Sequence, residues 1–161
     1  MSEVIRVGMA DYRICSAPQK ITTLGLGSCL GVVLYDKTMR MCGMAHVMLP
    51  DSQKITKNSN RKKFVDTCLQ DMYTELIAHN VNSKCLIAKI AGGAKMFSYA
   101  SENEFLNIGT QNIIAVRKKL AEWNIPIVAE DVGKTYGRTI IFEPETGDLL
   151  IKAVGFGNSV I

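Results

Sequence analysis

Two apolar runs, residues 30–35 and 42–49, separated only by the polar segment DKTMR and its immediate flanks, constrain this chain more than any other feature. Runs of this length joined by so short a polar link predict a β-hairpin, with Pro50 ending its second strand. Apolar alternation at 3–8 and 12–15 predicts two shorter strands before it. Residues 19–24 then lead into Gly25 and Gly27, where a sharp turn is expected. Residues 51–60, rich in Ser, Asn and Lys, read as a loop.

Helical spacing takes over after that loop. Over 61–79, Phe64, Cys68, Met72 and Leu76 step by four, with Val65, Leu69 and Ile77 beside them, which predicts an amphipathic helix. A buried strand is expected at 85–91, closed by Gly92 and Gly93. A second helix is predicted over 110–123, where Ile113, Val116, Leu120 and Trp123 recur at helical spacing and Pro126 lies beyond the end. Strands follow at 125–130, 138–142 and 149–154, the last two flanking the turn EPETGD. Many hairpin-connected strands and two main helices predict a layered α/β sandwich with mixed, largely antiparallel sheets, not a regular parallel repeat.

With 161 residues, 47% of them hydrophobic, the chain reads as a single domain over 1–161. A domain of that size buries roughly 70% of the surface its unfolded chain exposes. The five cysteines, Cys15, Cys29, Cys42, Cys68 and Cys85, are odd in number and irregularly spaced, mostly within apolar runs. This pattern predicts reduced, buried thiols in a cytoplasmic protein. The opening MSEVIRVGMADYR places charges where a signal peptide needs an uninterrupted apolar stretch, and no apolar run reaches membrane-spanning length. No membrane insertion is expected.

The net charge of +4 is modest but unevenly distributed: Lys54, Lys57, Arg61, Lys62 and Lys63 fall within ten residues that contain no acid. Such a stretch is either a solvated surface or a face complementary to an acidic partner. Nucleic acid is not expected, because no reading module or basic-aromatic interleaving accompanies it.

The candidate chemistry centres on Cys29, just past the glycine-punctuated turn, and His46 in the second strand of the hairpin. A cysteine thiol with a pKa of about 8.5 is mostly protonated at neutral pH, and a nearby imidazole can take up its proton. The phrase Gly25-Leu26-Gly27 is not a nucleotide loop. A dinucleotide fingerprint would need glycine at Leu30, and no Gly-Lys-Ser/Thr ending follows. Its glycines instead permit an unusual path through Gly27 and Ser28 that presents the thiol and aims successive N–H groups at one point, as an oxyanion hole requires.

Blander readings stand beside these. Cys29 alone is as readily a small buried hydrophobe, and His46 alone a satisfied strand histidine. Cys42 and His46, four apart, share a strand face, as two metal ligands would. No second ligand pair accompanies them, so neither metal nor other cofactor is expected. His79 ends a helix, where the dipole accounts for it.

The phrases TLGLGSCLGVVLYD and GMAHVMLP, followed by IAGGAKMF, IGTQN, IPIVAEDVGKTYGRTIIF and the PETG turn, resemble in order the chemoreceptor glutamine deamidase family CheD. The resemblance runs nearly end to end, and T-x-G-x-G-S-C combined with G-x-A-H is specific. It implies a layered α/β sandwich related to the catalytic domain of cytotoxic necrotizing factors, with catalytic residues Cys29, His46 and Thr23. It further implies hydrolysis of glutamine side chains of methyl-accepting chemotaxis receptors to glutamate and ammonia through a cysteine thioester. One departure is visible: the family's IG-x-R-N phrase has Gln111 in place of arginine.

Two partner classes follow from the resemblance. Receptors are the substrate, and the lysines from Lys54 to Lys63 offer a surface to them. A CheC-type phosphatase is the second partner, which makes a phosphatase-modulating binding module the alternative function. Met96, Phe97, Tyr99 and Phe105 are the candidate apolar dock for it, or a cover for the core. Resolution of the thioester by an amine would make the reaction a transfer instead of a hydrolysis.

Overall fold

The computed structural model describes residues 3–54, 60–96 and 107–161, with Lys54 through its backbone alone. The strands are β1 (Val4–Val7), β2 (Asp11–Ser16), β3 (Lys20–Leu26), β4 (Leu30–Asp36) and β5 (Met41–Val47), then β6 (Leu86–Gly92). After them come β7 (Ile127–Val132), β8 (Arg138–Glu143), β9 (Asp148–Ala153) and β10 (Gly157–Val160). The helices are α1 (Val65–Ala78), between β5 and β6, and α2 (Ile108–Glu122), between β6 and β7. The first sheet has the order β1-β3-β8-β9-β10, the second β2-β5-β4-β6-β7. Only the β1–β3 and β6–β7 pairs are parallel, so the sheets are mixed and largely antiparallel, as expected.

The predicted hairpin lies at the heart of the second sheet. β4 and β5 pair from Leu30 with Val47 to Asp36 with Met41. The buried Asp36 closes the link by accepting from the N–H groups of Thr38 (2.9 Å) and Met39 (3.3 Å). Every residue of β4 is buried, as are all of β5 but Met41. The reason is layering. One face of this sheet packs on the first sheet, through Val33, Tyr35, Met44, Ile140 and Phe142. The other packs under the helices, where Val32, Ala45, Leu69, Met72, Val116 and Leu120 meet. Strands covered on both faces lose polar alternation, which is why both runs are continuously apolar.

Two local departures have clear causes. α1 begins at Val65, not near 61, because residues 61–63 form a 3₁₀ turn capped by the Asn60 side chain. Phe64 is extended and bridges Leu49, whose carbonyl accepts the Val65 N–H at 2.9 Å. Ile77, expected on the core stripe, is exposed, while Val65, Cys68, Leu69, Met72 and Leu76 are buried. β10 was not expected: its GNSV sequence is exposed throughout and carries no apolar alternation. The 138–142 and 149–154 strands and the turn between them follow the prediction closely. Of the five thiols, Cys85 alone is exposed, and all are free.

Candidate active site

Four other residues of β5 show which way the His46 imidazole points. Cys42 and Met44 belong to the layer between the sheets, Ala45 and Val47 to the layer under the helices. By strand alternation His46 faces the first sheet. There its Nδ1 lies 2.7 Å from the hydroxyl of Thr23 on β3. That hydroxyl also donates to the Val7 carbonyl at 2.9 Å. A threonine hydroxyl has one proton. With that proton on Val7 O, the Thr23 oxygen accepts from His46 Nδ1–H, and the neutral ring is left with a bare Nε2. His46 Nε2 is buried with no hydrogen-bond partner among the described residues.

Cys29 reaches the same layer from a different direction. β3 is in the first sheet and β4 in the second, so residues 27–29 form the bend by which the chain crosses between them. The irregularity begins earlier, where the β3–β8 register shifts between Thr23 and Leu26 and Gly25 takes a φ of +69°. A left-handed backbone of that kind suits glycine. Gly27 lies under Met96, whose Cγ would be 3.3 Å from a side chain added there. On β4, Gly31 is the register partner of His46 and shares its face with Val33 and Tyr35. Cys29 precedes Gly31 by two residues and packs in the same inter-sheet cluster. It thus sits in the bend two residues before the register partner of His46, in the layer that the imidazole faces. Gly31 itself leaves no room for a side chain, since a Cβ there would meet Ile140 Cδ1 at 2.6 Å.

Burial sets the electrostatics. It pushes the Cys29 thiol up, eased by its own backbone N–H, and it pushes His46 below the ordinary 6.5. Both shifts favour the uncharged pair, a thiol beside a neutral imidazole. Cys29 is 9% exposed and His46 1%, so the thiol is the less buried of the two. The other buried thiols differ in kind. Cys68 is pushed up to about 12 by burial, and Cys42 is raised by burial and by its neighbour Cys15, whose sulfur is 3.8 Å away. Cys42, which shares the His46 strand face, thus has a thiol partner, and the described residues contain no cluster of potential metal ligands.

Three further groups hold the chain around the bend. The Cys29 carbonyl is held by Gly93 N–H at 2.9 Å, and Gly92, at φ +112°, brings its backbone so close that a Cβ would lie 2.5 Å from that oxygen. Arg138, fully buried on β8 beside Leu26, pairs with Asp131 of β7 at 3.3 Å and donates to the Gly133 and Tyr136 carbonyls. Asn112 of α2, also fully buried, donates to the carbonyls of Ser28 and Met48, each at 3.0 Å. The sequence reading named Gly92 and Gly93 only as the close of a strand and singled out neither Arg138 nor Asn112. For Asn112 a signal existed: it occupies the stripe of Gly109, Val116 and Leu120, an amide where the period calls for an apolar residue.

Arg61 pairs with Asp71 and Lys62 with Asp11, so the fold brings acids to a stretch that has none in sequence. Phe97, Tyr99, Phe105 and Lys57 lie outside the described residues, as does the side chain of Lys54. Gln111 lines a cleft of about 580 Å³ between α2 and the start of α1, with Pro50, Asp66 and Lys118 among its walls; Cys29, His46 and Thr23 do not border it.

Fold and site together define a class: a two-sheet sandwich with helices on one side and a cysteine, histidine and threonine brought into its inter-sheet layer. Comparison narrows it. Residues 48–153 match the family described as CheD chemotactic sensory transduction. A probable chemoreceptor glutamine deamidase CheD of Lachnoclostridium phytofermentans is 52% identical over 155 residues, 96% of each chain. The chemoreceptor glutamine deamidase CheD of Halalkalibacterium halodurans is 51% identical over the whole of both, and that of Bacillus subtilis 45% identical over 98% of this chain and 96% of its own. The chain belongs to the CheD family. Among solved structures, the hypothetical protein YfiH of Bacillus licheniformis shares the fold with a TM-score of 0.50 at 14% identity, over 78% of this chain and 51% of that one.

Proposed function

We propose that this protein is a chemoreceptor glutamine deamidase in which Cys29 is the nucleophile, His46 the general base and acid, and Thr23 the group that orients His46. The observation that carries the reading is the bond between Thr23 Oγ1 and His46 Nδ1, with the hydroxyl proton committed to Val7 O and Nε2 left bare. A buried nitrogen without a partner is costly unless it has work to do.

The chemistry follows from the uncharged resting pair. As the Cys29 sulfur attacks the carbon of a glutamine side-chain amide, His46 Nε2 takes the thiol proton, and the carbonyl oxygen becomes an oxyanion. In this reading backbone N–H groups around Ser28 and Cys29 stabilise it. His46 then returns the proton to the departing nitrogen, ammonia leaves and a thioester remains. Water, deprotonated by the again neutral His46, attacks the thioester; the tetrahedral adduct collapses, the sulfur regains a proton, and glutamate is released. Each modified site gains a negative charge, which alters repulsion along a receptor's helices. Four buried free thiols fit a cytoplasmic setting.

Mass analysis of a receptor fragment tests this directly. Wild type is expected to add about one mass unit per glutamine modified and release ammonia. Coupling to a supplied amine would instead indicate transfer. Retention of ammonia release by Cys29→Ala would overturn the assignment.

A further inference from the structure

The β4–β5 ladder ends at Leu30 with Val47. One step further, Cys29 and Met48 would be the next pair, but the two chains part. Met48 N–H turns to the Lys63 carbonyl at 2.9 Å, and the Cys29 carbonyl turns to Gly93 N–H. Two carbonyls, of Ser28 and Met48, are left facing the helix layer, and Asn112 bridges them with the two protons of one amide nitrogen. The amide orientation is fixed by this, because the flipped form would set Oδ1 against two carbonyl oxygens. Packing delivers Asn112 to that spot. Gly109, three residues earlier on α2, sits so tightly on the 93–94 backbone that a Cβ would lie 2.6 Å from the Gly93 and Ala94 oxygens.

The consequence falls on the next N–H. In a trans peptide the carbonyl and the N–H point in opposite directions. Holding the Ser28 carbonyl on Asn112 therefore turns the Cys29 N–H away from the helix and toward the inter-sheet layer that holds the Cys29 side chain. We infer that Asn112 is a positioning residue for the deamidation: it fixes the Ser28–Cys29 peptide so that the Cys29 N–H is aimed at the oxyanion, and it ties the nucleophile's bend to the segment that follows His46. This rests on the assignment of Cys29 as nucleophile.

The test separates oxyanion support from thiol reactivity. Alkylation of Cys29 by iodoacetamide is a displacement that passes through no oxyanion, whereas amide hydrolysis does. In Asn112→Ala, kcat for ammonia release from a receptor fragment is expected to fall about a hundredfold or more, as for loss of an oxyanion donor. KM should change little, and Cys29 alkylation, followed by mass analysis, should stay within severalfold of wild type. Asn112→Asp, the same size but unable to donate twice, decides the matter if the alanine variant does not accumulate, with the same split expected. A kcat within threefold of wild type, or parallel loss of turnover and alkylation, would overturn the inference. Cys29→Ala in the same assay keeps the two claims apart. If it turns over, the nucleophile assignment falls and this inference with it; if it is inactive while the Asn112 variants keep kcat, this inference alone falls.

Discussion

A single proton decides the state of the site. Because Thr23 gives its hydroxyl proton to Val7 O, His46 must carry its own on Nδ1. Thr23→Val keeps the shape but removes the acceptor, so the ring is no longer held in the productive tautomer. We expect kcat to fall roughly 10- to 100-fold, less than for Cys29→Ala, with Thr23→Ser retaining most of the activity in the ammonia assay. The pH profile follows from burial. In the proposed mechanism His46 acts only when neutral, and burial lowers its pKa, so protonation takes hold only below the ordinary value. kcat/KM should therefore rise with pH through a midpoint under 6.5, where an unperturbed histidine would put it near 6.5. A midpoint at or above 6.5 would contradict this environment.

At the scale of elements, two glycines make opposite predictions. Gly92 on β6 combines φ +112° with an approach to the Cys29 carbonyl that any Cβ would block. Gly92→Ala should destabilise by about 1–3 kcal/mol in urea denaturation and also depress kcat, because the bend must shift. Gly43 on β5 faces the helices, where a Cβ would meet the flexible Met72 end at 2.7 Å. Gly43→Ala should cost only about 1 kcal/mol and leave kcat of the folded protein unchanged. Most elements were legible because their patterning is strong: the doubly buried hairpin, the α1 stripe, the EPETGD turn. β10 was not, since an exposed edge strand needs no apolar period, and its pairing with β9 runs through backbone groups. At the site, Cys29 and His46 were legible as residue types at a turn and in a strand. Thr23 came from family resemblance, since a strand threonine by itself is unremarkable. Arg138 and Asn112 act by long-range partners that local sequence does not reveal, across seven and 84 positions respectively.

At the scale of the whole molecule, polar bonds join the layers where the site lies. Arg138 on the first sheet meets Asp131 on the second, and its guanidinium lies 4.5 Å over the Tyr136 ring. Arg138→Ala leaves Asp131 and two carbonyls without their donor. We expect a loss of about 1–3 kcal/mol, read as a lowered Tm, because two carbonyls lose their donor while the half-buried Asp131 keeps some access to water.

The bond from Thr23 to His46 also runs from one sheet to the other, and the Cys29 bend is the chain's own passage between them. On the proposed mechanism, catalytic competence is thus a property of the docked sandwich, and neither sheet holds it alone. Enzyme activity accordingly serves as a gauge of sheet docking. In a denaturant series, turnover should vanish at or before the loss of far-UV circular dichroism, and any condition that loosens the sheets without melting them should silence the protein reversibly.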